Sequence, residues 1–568
     1  MAGALVYFVL VAVLSSPTFG QSAPKPLAFE IADIHPSPPG RSLQSLILRG
    51  PFVAGGRFEL QNATLLDMIR IAYSPTKANF DVLGRPVNQL DADKVVGGPS
   101  ALDFNRFDVI AKAPPQTSLQ NMKLMLQTLL ATRFKLGIHN GSAPLSAYAL
   151  TVGKNPLLKE AAGSEESGCR PSPPAVPGPG AMVSYSCRNI SMAAFADALR
   201  YMSFVNFNNN RVVDQTGLKG SWNFDLKYSV PTPLSGTPPS DIVTLAAAVQ
   251  KQLGLDLVLM KVPTPVLIVD RTNDEPTPNP PGLARALPPL PEEFEVADIK
   301  LTAPDFNLFP GGSIEVQPSG RVVIQHATLR LLITRAWGLT TIGSDPLLYG
   351  PKFIDTAHFD ILAKAPMPGA PPDEPSNASN IPGPLPAFLL YPYTNADAIN
   401  PMLRNLLIQR FGLTFHYDER PLPSMTLTSA RPKLQKADPT RRTGCYSGTP
   451  ATAGASPTSI FTCENITMAQ FAANLPLYAA GRGINNVVEA TGLEGAWDFT
   501  VTFAASTSNR GNPFGGADRT VEGVQDNDPS GMTFFEAMQK QLGLKLETTK
   551  RPGKVMVIDH LQEKPKEP

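Results

Sequence analysis

The chain is poor in the residues that most often carry reactions: its 568 residues include four cysteines, six histidines and three tryptophans. No Cys-x-x-Cys pair or tight Cys/His group supplies the ligand spacing of a zinc site, so no metal is expected. There is no Gly-x-x-x-x-Gly-Lys-Ser/Thr loop and no Gly-x-Gly-x-x-Gly after a strand, which excludes the common phosphate cradles. His-Glu-x-x-His and Gly-x-Ser-x-Gly are missing too, and no cofactor is expected. Charge of one sign is not in excess: 49 basic residues stand against 48 acidic ones, for a net charge of +1, with no block of like charge. A nucleic-acid binder needs clustered Lys/Arg to release counterions, so nucleic acid is excluded as a partner.

Long apolar runs are lacking except at the start. Ala4 to Leu14 is almost purely apolar and is followed by Ser15, Ser16, Pro17, Thr18, Phe19 and Gly20. This is the length of a signal-peptide core, and we expect a signal peptide over 1–20, cleaved after Gly20. The run is short against the roughly 20 residues of a membrane span. Its flank carries no Lys or Arg, so an uncleaved anchor is the alternative. No Cys follows, which argues against a lipoprotein. No second run reaches spanning length, so no integral membrane span is expected after cleavage. The protein is expected to be exported, to the periplasm or beyond.

What is abundant is repetition. Phe29-Glu30-Ile31-Ala32-Asp33-Ile34 recurs as Phe294-Glu295-Val296-Ala297-Asp298-Ile299. Phe107-Asp108 through Ala113-Pro114 recurs as Phe359-Asp360 through Ala365-Pro366, and Met125-Leu126 through His139 as Met402-Leu403 through His416. Thr216-Gly217-Leu218 with Trp222 recurs as Thr491-Gly492-Leu493 with Trp497, and Gln250 to Leu255 as Gln539 to Leu544. The order is kept throughout. Two tandem homologous α+β domains follow, at 27–271 and 293–561, with a Pro-rich linker at 272–292 and a tail at 562–568. A Pro-rich stretch from Pro366 to Pro386 is found in the second copy alone and reads as a surface loop.

Within the first copy, strands are expected at Phe29–His35, Arg57–Gln61, Arg106–Ala113, Leu145–Val152 and Ser221–Tyr228. Helices are expected after Thr64 and Ser191 as caps, over Leu119–Phe134, and over Val243–Leu253 with Gly254 as a left-handed end. Leu255–Met260 and Pro265–Asp270 read as a closing hairpin. The order strand, helix, strand, helix, hairpin occurs twice per copy, a pattern that leaves a deeper internal duplication open. The cysteines form two pairs of equal spacing, Cys169 with Cys187 and Cys445 with Cys463, so one disulfide per copy is expected, each closing a Pro/Gly/Ser-rich loop.

These blocks resemble the soil-associated family of exported acidobacterial proteins, a domain of unknown function. The resemblance runs over essentially the whole mature chain, once per copy, whereas most members look single-copy. It implies export and no established activity. Some relatives look fused to membrane-bound, metallopeptidase-like sensor proteins, which implies sensing or binding outside the cytoplasm. The helix-to-hairpin pattern also resembles short N-terminal modules of secretins and TonB-dependent receptors, a likeness of fold alone.

His139 and His416 occupy matching places and are the candidate general bases, but neither has a nucleophile or an orienting carboxylate near it in the chain in both copies. Arg133 and Arg410 end matching helices, where a cation either favours the helix dipole or binds an anion. Trp222 and Trp497 enter strands after Gly turns and serve either as core or as a ligand platform. The matched acids Asp214 and Glu489 are expected to bond the turn backbone. The expected function is a non-enzymatic, exported binding or interaction protein, engaged in envelope-associated sensing or scaffolding, whose partner is an unknown protein or cell-envelope ligand. The alternative is an extracytoplasmic hydrolase using His139 or His416 as base.

Overall fold

The computed structural model describes residues 26–567 apart from interior stretches, the longest being 230–242, 303–312, 367–398 and 505–531. The expected signal peptide and nearly all of the Pro366–Pro386 stretch lie outside the described residues.

Local chemistry sets the helices as the sequence anticipates. The Thr64 hydroxyl accepts from the Asp67 backbone and the Asp67 carboxylate accepts from the Thr64 N–H, so a capping box starts the helix Leu65–Ala72. A cap of this kind is worth about 1 kcal/mol. Ser118 caps Leu119–Arg133, and Ser191 accepts from the Ala194 N–H at the start of Met192–Met202. Leu245–Ala248 is α-helical but continues as a π-turn over Val249–Leu253, ended by Gly254 at φ 66°. A Cβ there would run into the carbonyl of Asn155, so only glycine fits.

Each copy builds three four-stranded sheets from the described residues, and these correspond between the copies; the first copy adds a two-stranded pair, Asn79–Phe80 with Pro86–Val87. In the first copy one sheet runs in the order Ile31–Pro36, Arg106–Lys112, Arg57–Thr64, Arg49–Ala54. With the helices Leu65–Ala72 and Leu119–Arg133 it encloses a core that includes Phe58, Met68, Phe107 and Phe134. A second sheet, Gly168–Ser172, Met182–Ile190, Trp222–Ser229 and Lys159–Glu160, encloses another core with Phe195, Leu199, Leu226 and Tyr228.

The third sheet is the spine. Gly137–Val152 and Leu255–Arg271 pair antiparallel along their whole length. Ile138, Leu267 and Val269 at one end pack on the first core; Leu150 and Leu255 at the other belong to the second. Short strands flank the two ends: Val95–Gly97 lies parallel to one long strand and Arg211–Asp214 parallel to the other. The second copy repeats this with Thr414–Ser429 and Leu544–His560.

One expectation is corrected here. The closing hairpin does not form: Leu255–Met260 and Pro265–Asp270 belong to one continuous strand. Its prolines look like turn residues, but Pro263 lies opposite Pro144, and Pro552 opposite Pro421, in mid-ribbon where no third strand pairs among the described residues. A residue whose N–H would face solvent can be proline without loss of a ladder bond. The cysteines stand on paired strands, Gly168–Ser172 with Met182–Ile190, which place Cys169 directly opposite Cys187; the loop between them, 173–181, lies outside the described residues.

One device recurs four times. The strand before a helix bulges at Asn62, Asn189, His326 and Asn465, with φ of 54, 45, 51 and 51°. Each displaced N–H donates to a side chain at the start of the next strand: to Asp108 at 2.9 Å, Asn223 at 2.7 Å, Asp360 at 2.8 Å and Asp498 at 2.7 Å. Without that acceptor the donor would be left unpaired.

Candidate functional site

His139 projects from the long strand Gly137–Val152, opposite Ile268, and two residues further along the partner strand stands Asp270. Its Nδ1 lies 2.9 Å from the Asp270 carboxylate. The second copy repeats the arrangement, with His416 Nδ1 at 2.6 Å from Asp559. A carboxylate can only accept, so a neutral ring keeps its proton on Nδ1 and turns the Nε2 lone pair outward. Nε2 has no hydrogen-bond partner among the described residues in either copy. Both imidazoles are about half exposed, at 55% and 54%. The geometry can accept a proton from something brought to it, and no hydroxyl or thiol among the described residues is bonded to it.

The orienting carboxylates are the functional residues missed in the sequence. They are 131 and 143 residues from their histidines, so local spacing could not reveal them. The available signal was the matched finish Val-Leu-Ile-Val-Asp270 and Val-Met-Val-Ile-Asp559. The surroundings then differ. Gly141 follows His139 on the same face, whereas Asp418 and Arg420 follow His416. The Arg420 hydrogen bond holds the Asp418 carboxyl below the usual carboxylate range, and the Arg420 guanidinium lies 4.0 Å from the Tyr349 ring centre.

The two arginines are brought to a different task. Arg133 reaches from its helix end across the chain that follows the long strand: Nε donates to Thr277 Oγ1 at 2.9 Å, Nη2 to Asn279 Oδ1 at 2.6 Å, and Nη1 to the Ala32 carbonyl at 3.1 Å. Backbone bonds from Asn273 to Phe134 and from Thr277 to Arg133 hold the same segment down. In the second copy Arg410 holds Lys566, and Gln562 and Lys566 bond to Phe411 and Arg410. Each arginine thus clamps the strap that ends its own copy. The linker 272–292 is accordingly bonded to the first copy over its opening residues, and the tail 562–568 is its counterpart.

Asn279 lies on the exposed edge of the first sheet. Its Oδ1 accepts from the Ile34 N–H at 3.2 Å and its Nδ2 donates to the Ile34 carbonyl at 2.9 Å, as a neighbouring strand would, and also to Asp33. Beyond it Pro280 and Leu283 line a groove of about 270 Å³ with Phe29, Ile31, Met125 and Leu129. Further on the Pro288 carbonyl accepts from Arg57, on the outer face of the sheet.

Trp222 and Trp497 pack against the second core of each copy as partly buried side chains. Their indole N–H groups meet no acceptor among the described residues. The Lys436 ammonium lies 5.0 Å from the Trp497 ring centre. Asp214 and Glu489 each accept from the backbone and hydroxyl of the following Thr216 and Thr491, as expected of turn acids. Cys169 is bonded to Cys187 and Cys445 to Cys463, with Cα separations of 4.0 and 4.1 Å. Two disulfides favour an extracytoplasmic location. Among the described residues no group of three or more His, Cys, Asp or Glu could hold a metal ion, and no helix is long and apolar enough to cross a membrane.

One family description, a protein of unknown function (DUF3738), matches this chain twice, at residues 87–272 and 330–561. No curated protein and no solved structure matches.

Proposed function

From the premise that the chain belongs to the DUF3738 family, with two matching regions that span most of its length, we propose that it is an exported, non-enzymatic binding protein. Its partner is a protein or cell-envelope ligand, and its role is envelope-associated sensing or scaffolding. The observation that carries this reading is the way the first copy holds Thr277–Pro288. The chain's own segment meets the backbone groups of a sheet edge with the Asn279 amide and lines a groove with Pro280 and Leu283, where it turns into the 3-10 helix Leu283–Ala286. Strand-addition modules likewise satisfy the outward N–H and carbonyl of an edge strand with another segment, there through main-chain groups and here through one side-chain amide. The paired cysteines, the apolar N-terminus and the likeness to exported soil-bacterial proteins support export. The four bulge-and-cap units support the further reading that each copy is itself a doubled strand-helix-strand-helix unit, closed by long strands rather than hairpins.

The test is hydrogen exchange on the mature chain with and without an envelope fraction. Binding slows exchange at a sheet edge of one or both copies. Unchanged exchange everywhere overturns the reading.

A second reading is favoured by the His-Asp pairs, which both copies keep. In that reading the protein is an extracytoplasmic hydrolase with His139 or His416 as general base and Asp270 or Asp559 as its positioning residue. Turnover of an ester and peptide panel that disappears in the His139→Ala/His416→Ala double variant, with melting unchanged, would establish it and displace the first.

A further inference from the structure

The spine of the first copy has a free side unlike that of the second. Gly137–Val152 covers one side of Leu255–Arg271 along its length, and Val95–Gly97 covers the other side only at Leu267–Val269. Among the described residues no strand lies beside Leu255–Val262. The Gly153 N–H donates to the Gly254 carbonyl at 2.9 Å, and bonded pairs alternate along an antiparallel ribbon. Asp256, Val258 and Met260 therefore direct their backbone groups at the partner strand. Leu257, Leu259 and Lys261 turn theirs to the free side.

The side chains on that stretch are apolar and bare. Val258, Leu259 and Met260, consecutive in the strand, are 49, 46 and 41% exposed. Leu255 lies opposite Val152 as Leu544 lies opposite Ser429, so the equivalent residues of the second copy are Glu547, Thr548 and Thr549. There Lys545 also pairs with Glu547 at 2.8 Å. Charged and polar side chains are the usual protection of an open edge, and three apolar ones in a row leave it able to pair with another strand. Pro263 and Pro265 fall at outward positions just beyond, so the unprotected stretch has a definite end.

We propose that the occupant of this edge is a second copy of the chain, its own Leu255–Val262 added antiparallel about a two-fold axis at Leu259. A lipid surface would cover the apolar side chains but leave the outward N–H and carbonyl groups unpaired, whereas a strand satisfies both. In this register Leu259 faces the partner's Leu259, Val258 the partner's Met260 and Lys261 the partner's Leu257, so apolar meets apolar. The two Lys261 ammonium groups stay about 13 Å apart along the strands, at about 3.3 Å per residue, beyond the screening length of about 8 Å. An axis at Lys261 would set like charges opposite each other, and one at Leu257 would run Met260 onto Gly254, where the preceding helical turn ends. An edge paired with itself closes at two chains. Were the second copy's edge equally apolar, first copies would pair with second copies and the assembly would run on as a filament; Lys545 and Glu547 prevent that pairing. The association goes beyond the binding and hydrolase readings and depends on neither.

The test is sedimentation of the mature chain, both copies present, over a concentration series and without any envelope fraction. A monomer–dimer equilibrium is expected, with amide exchange at Leu257, Leu259 and Lys261 slowing as the concentration rises. Leu259→Lys sets two ammonium groups directly opposite each other and should raise the dimer dissociation constant roughly tenfold or more. Thr548→Lys, at the equivalent place in the second copy, should leave it unchanged. Leu259→Cys should cross-link two chains on mild oxidation, because opposed residues of a bonded pair have Cα atoms about 5.5 Å apart, within disulfide reach. Melting of each variant is measured alongside. A monomer at every concentration, a dimer indifferent to Leu259→Lys, or growth beyond two chains overturns the proposal. So does a monomer whose edge amides slow only with an envelope fraction or with phospholipid vesicles, which would give the edge to a foreign strand or to a lipid surface.

Discussion

Tyr228 shows how one side chain can set the two copies apart. It is 1% exposed, donates to the Met202 carbonyl at 2.7 Å and stacks beside Tyr185, with ring centres 6.2 Å apart. Burial above all, then the neighbouring Tyr185, pushes its hydroxyl far above the ordinary tyrosine value. In the unfolded chain it titrates near pH 10. Below that pH both states keep the proton and the full stability is present. Above it the unfolded state loses the proton while the folded state holds it, so stability falls as pH rises toward the folded value. The second copy has Phe503 at this position, which cannot ionise. Thermal melts from pH 8 to 11 should therefore show the first copy losing stability ahead of the second. Tyr228→Phe should flatten that loss while costing about 1 kcal/mol at neutral pH for the missing hydrogen bond. An alkaline slope unchanged in the variant would contradict this account.

At the scale of elements, helices and ribbon differ in how far they were legible. Thr64 and Ser191 announce helix starts because a cap acts within three residues of itself. The long ribbon was only half legible. Its prolines mimic a turn, and what permits them is the lack of a third strand beside mid-ribbon, a fact about neighbours distant in sequence. The straps were illegible for the same reason: composition marks 272–292 as a spacer, yet Arg133 binds it down. Arg133→Ala should speed amide exchange at Asn273 and Thr277 by at least tenfold, and Arg410→Ala should do so at Gln562 and Lys566. Arg133→Lys should restore little, because one ammonium cannot serve Thr277, Asn279 and Ala32 together. Exchange that stays slow in Arg133→Ala would show the strap to be held by its own backbone bonds.

At the scale of the whole molecule, the copies touch through unlike surfaces. Arg442 of the second copy forks onto Asp103 of the first at 2.9 and 3.0 Å and donates to the Val95 carbonyl, while Phe104 packs against the second copy's Cys445–Cys463 lobe. The reverse contact has no chemistry to support it. Glu166 stands where Arg442 would be, and Asp355, the counterpart of Asp103, is held by Arg330 of its own copy. Among the described residues the contact is therefore made once. Both partners are largely covered, at 19% and 22% exposure, so losing the pair should cost about 1–3 kcal/mol of coupling between the copies. Arg442→Glu should enlarge the radius of gyration in X-ray scattering and let the copies melt separately, and adding Asp103→Arg should reverse both. An unchanged radius in Arg442→Glu would mean that apolar packing alone joins them.

The amino-acid sequence by itself determined the doubling, the capped helices and the pairing of cysteines, because each depends on spacing or on neighbours a few residues away. It also placed His139 and His416 at equivalent points. Only the tertiary structure decided what those histidines face, what the terminal arginines hold, and which side chain caps the first copy's sheet edge. Those outcomes depend on strands more than a hundred residues apart coming into register, and on side chains such as Asn279, whose meaning appears only beside the edge it caps.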